Sequence, residues 1–131
     1  MLYVISGNPI PLARARMCGR RIFDSQKQVK LHARICIESQ HTDGNIFKDV
    51  PLQLDITFFM PTPKDPKLKK MYMAKKYHTF TPDTDNMVKL ICDVAQGELY
   101  TNDCQISKIN AQKLYTIDNP RTEFTIMEIK L

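Results

Sequence analysis

The hydrophobic residues of this chain recur with two different periods, and each period predicts a different element. One set recurs at every second position and predicts a half-buried strand over 51–60. Its members are Leu52, Leu54, Ile56 and Phe58. Another set recurs at helical spacing and predicts a helix over 84–96, with Gly97 as a residue just beyond its end. The members of this second set are Met87, Val88, Leu90, Ile91, Val94 and Ala95.

Weaker patterns complete the predicted order of elements. Residues 1–6 alternate as a strand, and 25–41 have helical spacing behind Ser25, a good N-cap residue. Two further strands are predicted over 104–116 and 122–130, near the end of the chain. Helices would therefore cover one face of a sheet whose strands come from both ends of the sequence.

A length of 131 residues suits one domain, and the predicted elements compose a single α+β domain over 1–131. We expect a mixed β-sheet with two main helices packed on it. No apolar run approaches the roughly 18–20 residues that span a membrane, and the first residues fit a strand better than a signal peptide. The four cysteines lack metal-binding spacing, so we expect free, buried or half-buried thiols in a reducing cytoplasm.

A formal net charge of +5 favours a polyanionic partner such as nucleic acid. Two segments concentrate this charge. A basic hairpin or loop is expected around Arg14, Arg16, Arg20 and Arg21. The segment 61–80, in which 65–75 is either a short helix or an exposed loop, carries Lys64, Lys67, Lys69, Lys70, Lys75 and Lys76. Both segments are predicted to bind DNA phosphates, with a solvated charged surface as the alternative.

Three aspartates and a lysine stand around the predicted helix 84–96. Asp83 and Asp85 lie two positions apart at its start, Lys89 follows one turn later, and Asp103 comes after its end. If 82–84 is extended, the first two aspartates point the same way, because side chains of a strand alternate with a period of two. Carboxylate oxygens are ligands that Mg²⁺ prefers. The group therefore predicts metal-dependent chemistry on a phosphodiester.

Asp83, Asp85 and Lys89 also have structural explanations. Acids at a helix start cap it and complement its dipole, but one acid and Asn86 would suffice for this, so the second acid stays unexplained. Lys89 stands four residues after Asp85 and four before Asp93. This is the spacing of helical ion pairs worth about 0.3–0.5 kcal/mol each. On spacing alone, the structural and the functional explanations of Lys89 stay equal.

The same residues resemble a known family, the RusA-like Holliday junction resolvases of bacteria and bacteriophages. The matching segments are Gly7-Asn8-Pro9-Ile10-Pro11, Asp83-Thr84-Asp85-Asn86-Met87-Val88-Lys89, Asp93, Gly97 and Asn102-Asp103-Cys104-Gln105-Ile106. The resemblance implies a homodimeric endonuclease of recombination and repair. It also implies that the enzyme uses Mg²⁺, or Mn²⁺ in its place, to nick two opposed strands of a four-way DNA junction.

The resemblance also implies roles for individual residues. The matching positions are Asp83, Asp85 and Asp103 as metal-binding catalytic acids, Lys89 as the catalytic lysine, and Asn86 and Gln105 as positioning residues. Two positions depart from the family pattern, because Asn102 stands where an acid is usual and Thr81 where a basic residue is frequent. A phage nuclease that cuts branched DNA more broadly and a non-catalytic junction-binding protein are the alternative functions.

Overall fold

The computed structural model describes residues 1–13, 16–18, 21–23 and 26–131, with 16–18 and 21–23 as backbone alone. Its strands are β1 (Leu2–Ser6), β2 (Arg16–Cys18), β3 (Arg21–Phe23), β4 (Leu52–Pro61), β5 (Ile106–Thr116) and β6 (Arg121–Glu128). Its helices are α1 (Lys27–Gln40), α2 (Pro66–Lys75) and α3 (Thr84–Ala95), and a 3₁₀ turn spans Asp103–Gln105. The fold is α+β, as predicted.

Four strands form one mixed sheet in the order β1-β6-β4-β5, and β2 pairs with β3 as an antiparallel hairpin. β6 is antiparallel to both β1 and β4, whereas β4 and β5 run parallel. Parallel neighbours need a long crossover connection between them. Here the crossover from β4 to β5 contains α2, α3 and the 3₁₀ turn.

α2 is a third helix besides the two main helices that were expected. Residues 66–75 thus form a helix and not an exposed loop. Asp65 is its N-cap residue, and the Asp65 Oδ1 accepts a hydrogen bond from the Lys67 backbone N at 3.0 Å. Pro66 occupies the first helical position, where its missing N–H costs nothing. Within the described part of the chain, no helix is long and apolar enough to cross a membrane.

Several predicted boundaries differ from the structure by one or two residues. α1 begins at Lys27 with Gln26 as its N-cap, and the expected cap Ser25 lies outside the described residues. β5 begins at Ile106 rather than at 104, because the residues before it form the 3₁₀ turn capped by Asn102. β6 covers Arg121–Glu128 rather than 122–130.

The core lies between the sheet and the pair α1 and α3. The apolar stripe predicted for 84–96 is buried, and α3 ends at Ala95. Gly97 follows with a φ of +87°, a left-handed conformation that suits glycine after a helix. Side chains that are at most 1% exposed come from both helices and from the two central strands. They include Ile37, Met87, Val94, Leu52, Leu54, Phe58 and Phe124.

A side chain covers the outer edge of β1. Gln40, the last residue of α1, accepts from the Val4 backbone N at 2.8 Å and donates to the Val4 carbonyl at 2.6 Å. Its Nε2 also donates to the Cys36 carbonyl at 2.8 Å. The amide thus takes the place of a neighbouring strand. It docks α1 on the sheet and covers edge groups that could otherwise pair with another chain.

Replacing Gln40 by leucine should lower the free energy of unfolding by roughly 1–2 kcal/mol, because the part-buried Val4 amide and carbonyl lose their partners. Urea unfolding of the wild type and Gln40→Leu measures this loss. Gln28→Leu, exposed on the same helix, is the matched control. It should change the free energy by less than about 0.5 kcal/mol. Equal losses in the two variants would contradict the role of Gln40.

Candidate functional site

Asp83 and Asp85 stand at the start of α3 in different backbone conformations. Asp83 is the N-cap residue, with extended φ −71° and ψ 143°, and Thr84 is already helical. The condition that 82–84 is extended is therefore not met, and Asp85 lies in the first turn. The Asp83 side chain makes no capping hydrogen bond to any of the described residues. Capping therefore does not account for its carboxylate, which is exposed.

Lys89 pairs with Asp85 and projects into solvent. The Lys89 Nζ lies 4.0 Å from the Asp85 Oδ2, and the two side chains are 62% and 72% exposed. Asp93 instead lies 3.4 Å from the Nζ of Lys30 on α1. Of the two helical ion pairs that the spacing allows, the Asp85–Lys89 pair is present, while Asp93 pairs with Lys30 and helps to join α3 to α1.

Side-chain amides fix the turn that carries Asp103. The Asn102 Oδ1 accepts from the Cys104 backbone N at 2.9 Å, and the Gln105 Oε1 accepts from the Asn102 backbone N at 2.9 Å. Asn102 and Gln105 form a capping box, in which the Asn102 side chain also accepts from the Gln105 backbone N. The Gln96 Oε1 accepts from the Asp103 backbone N at 2.9 Å. Asparagine and aspartate cap equally well, so Asn102 can cap this turn as an aspartate would.

A cavity of about 300 Å³ lies between α3, the 3₁₀ turn and the start of β5. Lys89 and Asp103 line it together with Asp93, and its apolar wall includes Ile109 and Cys92. Burial, followed by the charge of Asp103, raises the pKa of the Cys92 thiol to about 11. The thiol therefore stays protonated near neutral pH, which disfavours it as a nucleophile.

The structure does not gather the three aspartates within a single chain. Among the described residues, no group of three or more His, Cys, Asp or Glu side chains is placed to hold a metal ion. Asp83 is the N-cap residue of α3 and Asp85 lies in its first turn, whereas Asp103 stands in the 3₁₀ turn that follows the helix. Lys89, in the middle of the helix, contacts Asp85 and shares the cavity with Asp103.

The lysines of 64–76 form a basic surface on and beside α2, which we call the lysine surface. Its members are Lys64, Lys67, Lys69, Lys70, Lys75 and Lys76, of which Lys69 is half-buried and the others are exposed. The Lys75 Nζ lies 5.2 Å from the Tyr72 ring centroid, and Tyr72 in turn packs 5.2 Å from Tyr115 on β5. Of the predicted arginines, Arg14 and Arg20 and the side chains of Arg16 and Arg21 lie outside the described residues.

Comparison with known proteins bears on this geometry. A family model described as endodeoxyribonuclease RusA matches residues 6–127. The chain belongs to the RusA endodeoxyribonuclease family. The uncharacterized protein YqaN of Bacillus subtilis (strain 168) is 32% identical over 98 residues, which cover 71% of this chain and 68% of that protein. The family resemblance drawn from the sequence is thus confirmed, and family membership supports a nuclease.

Two side chains that contact the backbone of the candidate site carry no local sequence signal. Gln96 reaches Asp103 across seven residues of chain, after the end of α3. The Lys113 Nζ on β5 donates to the Phe80 carbonyl at 2.7 Å and to the Pro82 carbonyl at 2.9 Å. By contrast, the Asn102-x-x-Gln105 spacing is that of a capping box and could have predicted the 3₁₀ turn.

His78 belongs to the segment 77–82 that leads to Asp83 and packs against aromatic rings. Its ring centroid is 5.0 Å from that of Tyr115 and 6.1 Å from that of Phe80. The buried Nδ1 finds no hydrogen-bond partner among the described residues. Burial, with a smaller contribution from Lys113, lowers the pKa of His78. The folded protein therefore favours the neutral imidazole.

The lowered pKa of His78 should make the fold less stable in mild acid. Below the ordinary histidine pKa of about 6.5, the unfolded chain binds a proton that the folded chain does not. Stability then falls as the pH falls, down to the lower folded-state pKa. Urea midpoints at pH 7.5 and 5.5 should differ less in His78→Leu than in the wild type. An identical pH dependence in both proteins would remove His78 as a contributor.

Proposed function

We propose that this chain is a structure-selective endodeoxyribonuclease that resolves four-way (Holliday) DNA junctions by Mg²⁺-dependent paired nicking in recombination and repair. Its membership of the RusA family supports the nuclease activity. The observation that carries the site assignment lies at the start of α3. There an exposed Asp83 carboxylate does not cap its own helix, and Asp85 lies 4.0 Å from Lys89.

Asp83, Asp85 and Asp103 are proposed to supply the oxygen ligands for Mg²⁺ or Mn²⁺. The donor chemistry fits, because hard cations take carboxylate oxygens, and Mg²⁺ usually combines one or two of them with water and phosphate oxygens. A complete cage within one chain is therefore not required. When bound, the ion polarises the scissile phosphate and lowers the pKa of the attacking water.

Lys89 is proposed to neutralise charge that develops on the attacked phosphate. Its partner Asp85 is a candidate metal ligand, so a phosphate bound at that metal would come within reach of the ammonium group. An exposed i, i+4 ion pair is worth only about 0.3–0.5 kcal/mol. Lys89 can consequently leave Asp85 for a phosphate oxygen at little cost, and stabilisation of charge in the transition state raises the rate.

The lysine surface is proposed to hold the DNA backbone near these acids. It leads along the chain into 77–82 and then directly into Asp83, so its position is tied to the start of α3. Arg14, Arg16, Arg20 and Arg21 are proposed as further phosphate contacts on sequence grounds. We propose a homodimer, because a two-fold axis matches the symmetry of paired nicks on a four-way junction. We propose that the activity belongs to the cytoplasm of a bacterial or phage-infected cell, where its DNA substrate would lie.

Asp85→Asn should abolish cleavage while junction binding persists. The amide keeps the shape of the side chain but removes the negative charge that attracts the metal, so we expect a loss of about 100-fold or more in the cleavage rate. The assay is cleavage of an end-labelled four-way junction with Mg²⁺ and with chelator, beside gel-shift binding in chelator.

Asp118→Asn is the matched control, because it neutralises an exposed aspartate in the turn between β5 and β6. It should cleave at the wild-type rate. Junction, flap and linear duplex substrates, compared in parallel, separate a resolvase from a broader branched-DNA nuclease. Binding without cleavage by the wild type under any divalent metal would overturn the catalytic proposal.

Reversing two charges of the lysine surface should weaken DNA binding without regard to sequence. In Lys70→Glu/Lys75→Glu, each lost phosphate contact lowers the number of counterions that are released when DNA binds. The slope of log K against log salt concentration should therefore flatten by about 1 per contact. Fluorescence anisotropy across a salt series measures the slope. Lys48→Glu/Lys130→Glu makes the same charge change at exposed positions elsewhere. If both double variants weaken binding equally, net charge rather than this surface controls affinity.

A further inference from the structure

The two hydrogen bonds from Lys113 act on the segment that ends at the first candidate catalytic acid. Lys113 is half-buried on β5, and its Nζ reaches the carbonyls of Phe80 and Pro82 at 2.7 and 2.9 Å. Both acceptors receive a charge-assisted hydrogen bond, which is shorter and stronger than a bond between neutral groups. Pro82 is the residue directly before Asp83. Lys113 therefore holds the chain at the point where it enters α3.

The same segment is attached to β5 by backbone pairing before it reaches these carbonyls. The Tyr115 N donates to the Lys76 carbonyl at 3.0 Å, and the His78 N donates to the Lys113 carbonyl at 3.1 Å. Beyond His78 the segment leaves the strand, and the side chain of Lys113 extends the attachment by four residues. Lys113 thus fastens this segment with both its main chain and its side chain.

A fixed Pro82 carbonyl determines how Asp83 is presented. The peptide unit is planar, so the direction of the Pro82 C=O also sets the positions of the Asp83 N and Cα. Asp83 does not orient itself through a capping bond to the described part of α3. On its other side, the Asp83 carbonyl accepts from the Met87 backbone N at 3.2 Å, the first hydrogen bond of α3. The direction in which the chain enters Asp83 depends on contacts made by the preceding residues, and Asp85 follows within the first turn.

We propose that Lys113 is a positioning residue that presents the Asp83 and Asp85 carboxylates for metal-dependent cleavage. It acts through the Phe80 and Pro82 carbonyls and does not itself touch the DNA or the metal. The inference rests on the proposed nuclease function for its catalytic consequence, whereas the attachment itself is a property of the metal-free protein. The two parts can be measured separately.

The test compares the wild type with Lys113→Met, which keeps the length of the side chain but removes its three donors. Lys108→Met, exposed on the same strand, makes the same charge change as a matched control. Single-turnover cleavage of a four-way junction should slow by 10- to 100-fold in Lys113→Met, in the range found for groups that orient metal ligands. The concentration of Mg²⁺ needed for half-maximal rate should rise. Junction affinity in chelator should stay within about twofold of the wild type.

Hydrogen–deuterium exchange in the metal-free proteins gives the readout that does not depend on activity. Peptides covering 79–87 should exchange faster in Lys113→Met, while peptides from β4 and β6 and all peptides of Lys108→Met stay unchanged. If Lys113→Met does not fold, Lys113→Gln serves in its place, because glutamine is too short to reach both carbonyls.

The outcomes separate this inference from the function on which it rests. Faster local exchange together with slower cleavage at unchanged junction affinity supports the inference. Unchanged exchange over 79–87 overturns it, whether or not the wild type cleaves DNA. Faster exchange with full cleavage activity also overturns it. So does a loss of cleavage that is accompanied by loss of junction affinity and by unfolding of the whole protein. A wild type that binds junctions without cutting them overturns the proposed function and with it the catalytic half of the inference.

Discussion

The parallel pairing of β4 with β5 is the constraint on which the candidate site depends. Two parallel strands cannot be joined by a tight turn, so the chain must leave the end of β4 and return to the start of β5. That return path is residues 62–105. It contains the lysine surface, the start of α3, Lys89 and the 3₁₀ turn. The sheet therefore brings a connection of 44 residues, 62 to 105, to one side of the molecule and holds both of its ends.

Along this connection, buried apolar residues fix α3 on the sheet, and polar residues fix the backbone at its two ends. The apolar stripe of α3 anchors the helix against the sheet, with Met87 and Val94 fully buried. The polar residues are thereby confined to its two ends and its solvent side. At one end of α3, the Lys113 ammonium donates a hydrogen bond to the carbonyl of Pro82, the residue before Asp83. At the other, Gln96 and the capping box fix the backbone of Asp103. The backbone around the acids is thus held firmly, although their side chains stay exposed.

The sequence patterns predicted most of the fold because the strongest signals are local. The alternation of Leu52 to Phe58 and the stripe of α3 each arise from one element packing on one core, so periodicity is sufficient. α2 has no buried residue, so its pattern left both helix and loop open. The parallel register of β4 and β5 joins residues more than 50 positions apart, such as Ile56 with Ala111, and no local pattern encodes it.

The candidate site was only partly predictable for the same reason. Residue types and spacing indicated Asp83, Asp85, Lys89 and Asp103, because oxygen-ligand chemistry has a recognisable composition. Spacing could not show that no group of three or more His, Cys, Asp or Glu side chains among the described residues is placed to hold a metal ion. Nor could it show Lys113, whose contacts cross 31 and 33 residues of sequence.

The most direct measurement is a crystal structure of the protein with a four-way junction and Ca²⁺, which occupies Mg²⁺ sites while supporting little cleavage. The account predicts a cation about 2.3–2.6 Å from a carboxylate oxygen of Asp83 or Asp85 and from a junction phosphate, with Lys89 beside that phosphate. A junction bound on another face, or a cation held by none of Asp83, Asp85 and Asp103, would contradict it.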